Sequence, residues 1–584
     1  RPWPPAGRGR DVTAATVADG RGRAQRLLPI IGWLPRYERR WLRGDVAAGV
    51  AVTALVVPKN LGYAGIAGIP LQNGLYAAAA GALIYALFCT SRQISTGPSS
   101  SLAAVAGGAV VVTGVAGEAA AQLVAAIALL TGLLFLVLAV LRMGWIARFL
   151  SKAVVTGFLA GAAVDVVIGE LPKLTGTSAD ETTAWSELGA WARTLGDISW
   201  TTVLVGAVAL GVILALRFTV PAVPGALVLV VGGLLASALF DLGAHGVALV
   251  GDVPRGLPAP ELPDLGLVGD HLGVVVAASA ALLLIGFSQT AGDARTFAAR
   301  HRYRVDLNQE SVAQGMANAG AGLFQGMPVS TSLSASSLNE SSGARTPAAS
   351  LVTGGLVLAT LVVLAPLFSD LPKAVLGAII IDAVVFGMID VAELRRLYRV
   401  SRFDFWIAAA AFLAVLAAGV LAGVIVGVVL SLGWLVYVAT RPPMPLLGRA
   451  AGTRVFRDLD EYPDGETVAG VALLRVDGGL FFATAEALEE RIRGIAGDAP
   501  LTALVLDFEG VNFMDAQGAA AVREIDALLA AEDVELHVAR AKPQVLRVLE
   551  ADGALAHLGP ERVHPSLHLA VAARGRDARV AEVT

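Results

Sequence analysis

Thr96-Gly-Pro-Ser-Ser-Ser101 and Ser330-Thr-Ser-Leu-Ser-Ala-Ser336 are two runs of small polar residues set about 235 residues apart in an otherwise apolar region. Each opens a short, interrupted segment, 98–112 and 333–342, where a membrane-crossing helix needs roughly 20 apolar residues. A second pair of related stretches, Lys152-Ala-Val-Val-Thr-Gly157 and Lys373-Ala-Val-Leu-Gly377, recurs 221 residues apart. Short segments at corresponding places in two halves point to an inverted repeat whose broken helices meet near the middle of the bilayer.

Composition supports a membrane setting. Of 584 residues, 55% are hydrophobic, only 16% are charged, and 65 are glycine. Mean hydropathy is +0.68. An ordinary soluble protein carries about 25% charge, so disordered, coiled-coil and soluble multidomain classes are excluded. The single cysteine, Cys89, permits no intrachain disulfide and no cysteine-based metal site. The average conceals a division: residues 441–584 hold 15 basic and 23 acidic residues, the first 440 only 29 and 25. The expected organisation is a basic N-terminal segment 1–43, a transmembrane domain 44–440, a soluble α/β domain 441–575 and a tail 576–584.

Between Asp45 and Tyr437 the apolar segments are 45–64, 73–90, 98–112, 119–141, 153–171, 200–215, 222–240, 272–291, 308–324, 333–342, 348–367, 374–390, 405–420 and 421–438. Basic clusters fall at 36–43, 142–152 (Arg142, Arg148, Lys152), 295–304 and 395–402. With fourteen spans and a cytoplasmic N-terminus, all four clusters and the soluble domain lie inside, as the positive-inside rule asks. Two halves of seven spans then run in opposite directions, because seven is odd.

The chemistry concentrates at the short segments. A helix that begins within the membrane turns unpaired N–H groups and the positive end of its dipole inward, and two such ends make an anion site. Pro98 suits a first helical turn. The hydroxyls of Ser99, Ser100, Ser332, Ser334 and Ser336 either cap these ends and donate to a ligand, or simply allow close helix packing. Ionisable residues within spans are costly and point to function by default. Lys59 lies mid-span after the helix-breaking Pro58; it either serves the site or forms a structural ion pair with Asp165 or Asp293. Glu170 and Asp293 lie near span ends, within reach of water, and Asp382 lies in the twelfth segment.

Pro58-Lys-Asn-Leu-Gly-Tyr63-Ala-Gly-Ile-Ala-Gly-Ile-Pro70, followed by Gly74-Leu-Tyr76, resembles the first-span signature of the SulP inorganic-anion transporters. Thr96-Gly-Pro98, Asp306-Leu-Asn308-Gln-Glu310 with Gly315 and Asn318, Pro328-Val-Ser330 and Gly343-Ala-Arg-Thr346 are similar to further blocks of that family, in order. The resemblance implies an α-helical polytopic membrane protein of fourteen spans, a seven-plus-seven inverted repeat with core and gate domains, working as a homodimer in the bacterial inner membrane. It also implies an anion site between the third and tenth spans, lined by the first and eighth, which adds Tyr63, Gln289, Thr290 and Ala335 to the candidates. Lys59 stands where the family usually has glutamine. Gln289 replaces an acid that couples sodium or protons in many members, and Ala335 replaces a common arginine. A positive charge has thus moved to Lys59 while the eighth-span negative charge is gone. The expected behaviour is anion binding without strict sodium dependence, with proton or sodium as possible co-transported ion.

In the soluble tail, strands at 472–476, 501–507 and 534–538 alternate with helices at 485–495, 516–531 and 543–550, an α/β pattern. Asp507-Phe-Glu-Gly-Val-Asn-Phe-Met-Asp515-Ala-Gln-Gly518 resembles the STAS domain loop that SulP transporters share with anti-sigma-factor antagonists. Gln517 occupies the place of the antagonists' phosphorylated serine, so switching there is unsupported. No phosphate-binding glycine loop occurs, which argues against ATP-driven pumping. His564 and His568 share a helical spacing without further ligands. No cofactor, metal, enzymatic activity or nucleic-acid partner is expected. The reading is a secondary-active carrier of sulfate, bicarbonate, chloride or a dicarboxylate; the alternatives are a nucleobase permease of the same architecture and a non-transporting sensor signalling through the STAS domain.

Overall fold

The computed structural model describes residues 28–142, 151–178, 183–220, 223–251, 253–498 and 500–574. Residues 1–27 of the N-terminal segment, Arg148 and the tail 576–584 lie outside the described residues. The chain forms two compact units, Arg1–Ser431 and Leu432–Thr584.

Each of the fourteen apolar segments is a helix. The first seven are α1 (Leu42–Ile66), α2 (Leu71–Phe88), α3 (Ser100–Thr113), α4 (Gly117–Val140), α5 (Lys152–Thr175), α6 (Trp200–Thr219) and α7 (Gly225–Phe240). The second seven are α8 (Leu272–His301), α9 (Leu307–Leu323), α10 (Leu333–Ser341), α11 (Ala348–Val363), α12 (Lys373–Met388), α13 (Arg402–Ala418) and α14 (Val420–Thr440). Among the described residues, eight helical stretches are long and apolar enough to cross a membrane by themselves, and α3, α7 and α11 are shorter apolar helices.

Packing follows the repeat. Exchanging each helix for the one seven later maps α4 on α9 to α11 on α2, and α8 on α4 to α1 on α11. It also maps α10 on α1 to α3 on α8, and α13 on α5 to α6 on α12, while α2–α9 and α5–α12 are their own counterparts. Two groups result: α1–α4 with α8–α11, and α5–α7 with α12 and α13, the latter joined by α14 where Gly423 and Gly427 approach α13 and α5. Close approach depends on glycine. A Cβ at Gly157 of α5 would stand 2.1 Å from the carbonyl oxygen of Ala408 of α13, and one at Gly132 of α4 would stand 2.7 Å from that of Gly315 of α9.

Buried carboxylates tie the first group together. Glu310 accepts from the backbone N–H groups of Thr90 (2.7 Å) and Ser91 (2.8 Å) and from their hydroxyls (2.5 and 3.1 Å), with the Tyr85 hydroxyl as a further donor. Asp45 accepts from the N–H groups of Arg345 (2.7 Å) and Thr346 (3.2 Å), from the Thr346 hydroxyl (2.8 Å) and from Tyr37 (3.0 Å). Asp306 caps α9 by accepting from Asn308 and Gln309. The motif blocks at 306–310 and 343–346 therefore fasten loops to helix ends.

The second unit centres on four parallel strands in the order β5 (Val471–Arg475), β6 (Ala503–Asp507), β7 (Glu535–Ala539), β8 (Val563–His564). An antiparallel pair, β3 (Leu447–Arg449) with β4 (Phe456–Asp458), lies outside that sheet. The alternating helices are α15 (Ala485–Asp498), α16 (Ala516–Ala530), α17 (Pro543–Asp552), α18 (Ala554–Leu558) and α19 (Leu567–Arg574). A βαβ alternation buries both sheet faces, and β6 is buried at every position. Buried Asp507 pairs with Arg475 (2.9 Å) and Arg540 (2.9 Å). Asp515 caps α16 through Gly518 (2.8 Å), leaving Gln517 exposed on its first turn. His564 and His568 do not share a helix: His564 ends β8 and stacks on His537 of β7, Nδ1 to Nε2 3.0 Å.

Two outcomes are expected. Glu310→Ala strands the buried N–H of Ser91 and the half-buried N–H of Thr90 and costs about 3 kcal/mol, with Glu310→Gln milder, read as the melting temperature of detergent-purified protein. His537 is pushed down to about 4, first by burial and then by its His564 neighbour. An unfolded histidine takes its proton near 6.5, so stability present above that pH is lost as the pH falls from about 6.5 towards 4. Amide exchange across β7 should accelerate over that window, and His537→Asn should flatten the dependence.

Candidate functional site

The two polar runs meet. Thr96–Gly97 forms β1 and Ser330–Thr331 forms β2, paired antiparallel with Thr96 opposite Thr331 and Gly97 opposite Ser330. The pair satisfies backbone groups at membrane depth, where unmet ones cost several kcal/mol, and delivers the N-termini of α3 and α10 to one place. Further bonds hold the lead-in segments. Asn318 donates to and accepts from the Val329 backbone (2.9 Å each), Ser95 N–H donates to the Ser336 hydroxyl (2.9 Å), and Asn339 donates to the Gln93 carbonyl (3.0 Å).

The helix ends differ. Ser332 caps α10 by accepting from Ala335 N–H (3.3 Å) and lies 3.3 Å from the Ser334 hydroxyl. Ser99 has no such cap bond, its hydroxyl lying 3.1 Å from that of Ser101. Helical geometry begins at Ser100 rather than Pro98. The first N–H groups of α3 therefore have no side-chain cap at Ser99, with about half an elementary charge from the dipole behind them.

A cavity of about 40 Å³ opens between these ends, more than the ~10–15 Å³ that one water requires. Lys59, Tyr63, Ser99, Ser332, Ser334 and Ala335 line it, and the remaining walls come from α1, α2, the segment 95–98 that carries β1, and α11. All belong to the first packing group. Ser100 and Ser336 are buried just behind. On α8, Gln289 donates to the Ser101 hydroxyl (3.0 Å), and buried Thr290 has no hydroxyl partner; neither lines the cavity. Thr96, Asn60 and Thr353 also line it, and the Thr96 hydroxyl is buried without a partner.

Asp165 on α5 and Asp293 on α8 are not cavity residues. Asp293 accepts from the Thr331 hydroxyl (2.7 Å), bracing β2. Among the described residues Lys59 has no carboxylate within 4 Å, Asp165 and Asp293 included, and the ion pair formed within the spans is that of Asp382 with Arg217. Those two form a bidentate pair from α12 to α6, with Nε–Oδ1 and Nη2–Oδ2 both 2.7 Å, and Arg217 also covers the Phe386 ring at 4.3 Å. Glu170 is buried and bonded to Lys173 (2.6 Å) rather than reaching water. Sequence reading noticed Asp382 but not Arg217, which is one basic residue at a span end and carries no local signal of its distant partner.

Residues 42–411 match the family described as Sulfate permease family, and residues 462–570 match the STAS domain. A Mycobacterium tuberculosis protein named as a probable sulfate transporter is 34% identical over 552 residues, covering 93% of this chain and 98% of the relative. A high affinity sulfate transporter of Stylosanthes hamata is 28% identical, covering 94% and 86–87% in its two forms. The murine anion transporter Solute Carrier 26 family member A9, solved in an inward-facing state, superposes with TM-score 0.85 at 22% identity over 98% of this chain and 100% of its own. The transmembrane domain of the cyanobacterial bicarbonate transporter BicA gives TM-score 0.58 at 22% identity, over 68% and 99%.

The Arg217–Asp382 pair invites a paired test. Removing one partner of a buried ion pair costs 3–5 kcal/mol in general. Arg217 is about a third exposed, so Asp382→Ala should cost roughly 2 kcal/mol. Arg217→Met with Asp382→Leu should recover most of that loss, read as melting temperatures in a double-mutant cycle.

Proposed function

Because this chain belongs to the sulfate permease family and carries a STAS domain, we propose that it is a secondary-active transporter of small anions, with the anion held between the N-termini of α3 and α10. The observation that carries the reading is the cavity itself: two helix N-termini open onto one space, with Lys59 in its wall. Uncapped N–H groups at α3, the Ser99 and Ser334 hydroxyls and Lys59 are all donors or positive charges. They favour a compact anion over a cation or a neutral base.

The division into packing groups supports alternating access. Every wall of the cavity belongs to α1–α4 and α8–α11, so an anion would ride with that core group as it moves against the gate group α5–α7 and α12–α14. Fourteen crossings, cytoplasmic termini, a location in the bacterial inner membrane and a homodimer fit the same plan. The transmembrane domain would occupy 44–440, preceded by a basic segment 1–43 and followed by a STAS domain 441–575 and a tail. Ser100, Gln289, Thr290 and Ser336 support the cavity from behind.

Gln289 is neutral and spends its amide N–H on Ser101, so it offers sodium no carboxylate. Asp165 and Asp293 stand away from the cavity, which leaves proton coupling or anion exchange as the favoured modes.

Labelled sulfate, bicarbonate, chloride and dicarboxylate uptake into proteoliposomes tests the proposal, since a sensor would move none of them. Lys59→Ala should cut uptake at least about tenfold, the worth of one charge-assisted contact. Unchanged uptake in that variant would remove Lys59 from the site. Replacing sodium by potassium should leave the rate unaltered, and strict sodium dependence that vanishes in Gln289→Ala would overturn the coupling assignment.

A further inference from the structure

A second cavity, about 1150 Å³, is a cleft at the membrane face where α1 begins, α2 ends, α8 gives way to α9 and α10 to α11. It shares no lining residue with the cavity between the half-helices. Four arginines stand in its wall, Arg36, Arg92, Arg304 and Arg345, all exposed, against one carboxylate, Asp306. That carboxylate is occupied in capping α9. The other acids nearby are engaged as well: Glu38 with Arg40, Asp45 with the 345–346 backbone, and Glu310 with the 90–91 backbone. Among the described residues none of the four guanidinium groups has a carboxylate within 4 Å. Arg92 lies over the Tyr303 ring at 5.2 Å. Trp33 also lines the cleft, and its indole N–H is buried without an acceptor.

Four like charges held in one cleft repel one another until an anion joins them. Guanidinium groups present paired N–H donors that match phosphate oxygens, and the idle indole donor adds another. The entry segment has an interfacial character. Ile31 and Leu34 are 44% and 52% exposed beside Trp33 and Trp41, the mixture of apolar, aromatic and basic residues found at headgroup depth.

We propose that this cleft binds a phosphate group, presented by an acidic phospholipid headgroup or by a soluble phosphate ester, at a place distinct from the transport cavity. Arg92 stands four residues before Thr96 of β1, and the intervening Gln93 and Ser95 are bonded to Asn339 and Ser336 of α10. A ligand drawn to Arg92 therefore acts on the segment that carries both half-helix ends.

The test uses full-length purified protein, following melting temperature against added dioleoylphosphatidylglycerol in mixed micelles, inorganic pyrophosphate, or phosphatidylcholine. Phosphatidylglycerol or pyrophosphate should raise the melting temperature with saturation, and phosphatidylcholine should not. Arg92→Gln/Arg304→Gln should weaken the half-saturating concentration about a hundredfold, roughly tenfold per arginine. Arg36→Gln/Arg345→Gln serves as an independent second variant with the same expectation. Arg395→Gln/Arg399→Gln, on another exposed basic stretch, should respond like the wild type. A response to phosphatidylglycerol alone identifies a lipid headgroup; a response to pyrophosphate alone identifies a soluble ester. No stabilisation by either, equal stabilisation by phosphatidylcholine, or equal loss in the 395/399 variant would overturn the proposal.

Discussion

Within a bilayer the backbone has no water to bond with, so a helix can begin at mid-depth only if something else meets the exposed peptide groups. Here that something is a pair of two-residue strands, Thr96–Gly97 and Ser330–Thr331. Without them the ends of α3 and α10 would have neither a fixed position nor a shared cavity. The side chains around them serve the same end: Asn318 brackets Val329, Ser336 receives Ser95, and Asp293 receives Thr331. The rest of the first unit holds these strands at depth while keeping their far sides buried.

Much of this was legible in the sequence because the bilayer makes its demands locally. Apolar length sets each span, punctuation sets each end, and the two short polar runs announce the broken helices. The repeat of Lys152–Gly157 at Lys373–Gly377 marks the starts of α5 and α12, which pack on each other as counterparts. In the second unit the strand–helix alternation gave three strands and three helices to within a few residues, since period-two and period-3.6 patterns differ plainly there, while β3, β4, β8, α18 and α19 are too short to show a period and went unread. The site was legible in its residue types more than in its arrangement. The hydroxyls around the half-helix ends were recognisable, but which one caps and which stays open depends on backbone geometry that no spacing encodes.

Charge pairing was the hardest to read. Among the described residues Lys59 forms no ion pair with Asp165 or Asp293, and Asp382 pairs instead with Arg217, because α12 and α6 meet only in the folded molecule. Asp45 and Glu310 look like surface acids at span ends, yet both are fully buried and hold loop backbone. A carboxylate that accepts several N–H bonds is satisfied without a cation, and sequence offers no sign of that. The His537–His564 stack escaped notice for a similar reason: neighbouring parallel strands bring together residues 27 apart.

The inverted relation of the halves has a consequence for energetics. If the two halves were identical, exchanging their conformations would turn the protein inside out at no cost, and both orientations would be equally populated. Any preference must therefore come from positions where the halves differ. Lys59 in α1 and the Arg217–Asp382 pair between α6 and α12 are charged departures from symmetry in the apolar interior. In the alternating carrier proposed above they would weight the equilibrium between the two faces, so the charges proposed to attract an anion would also bias which side of the membrane it meets first.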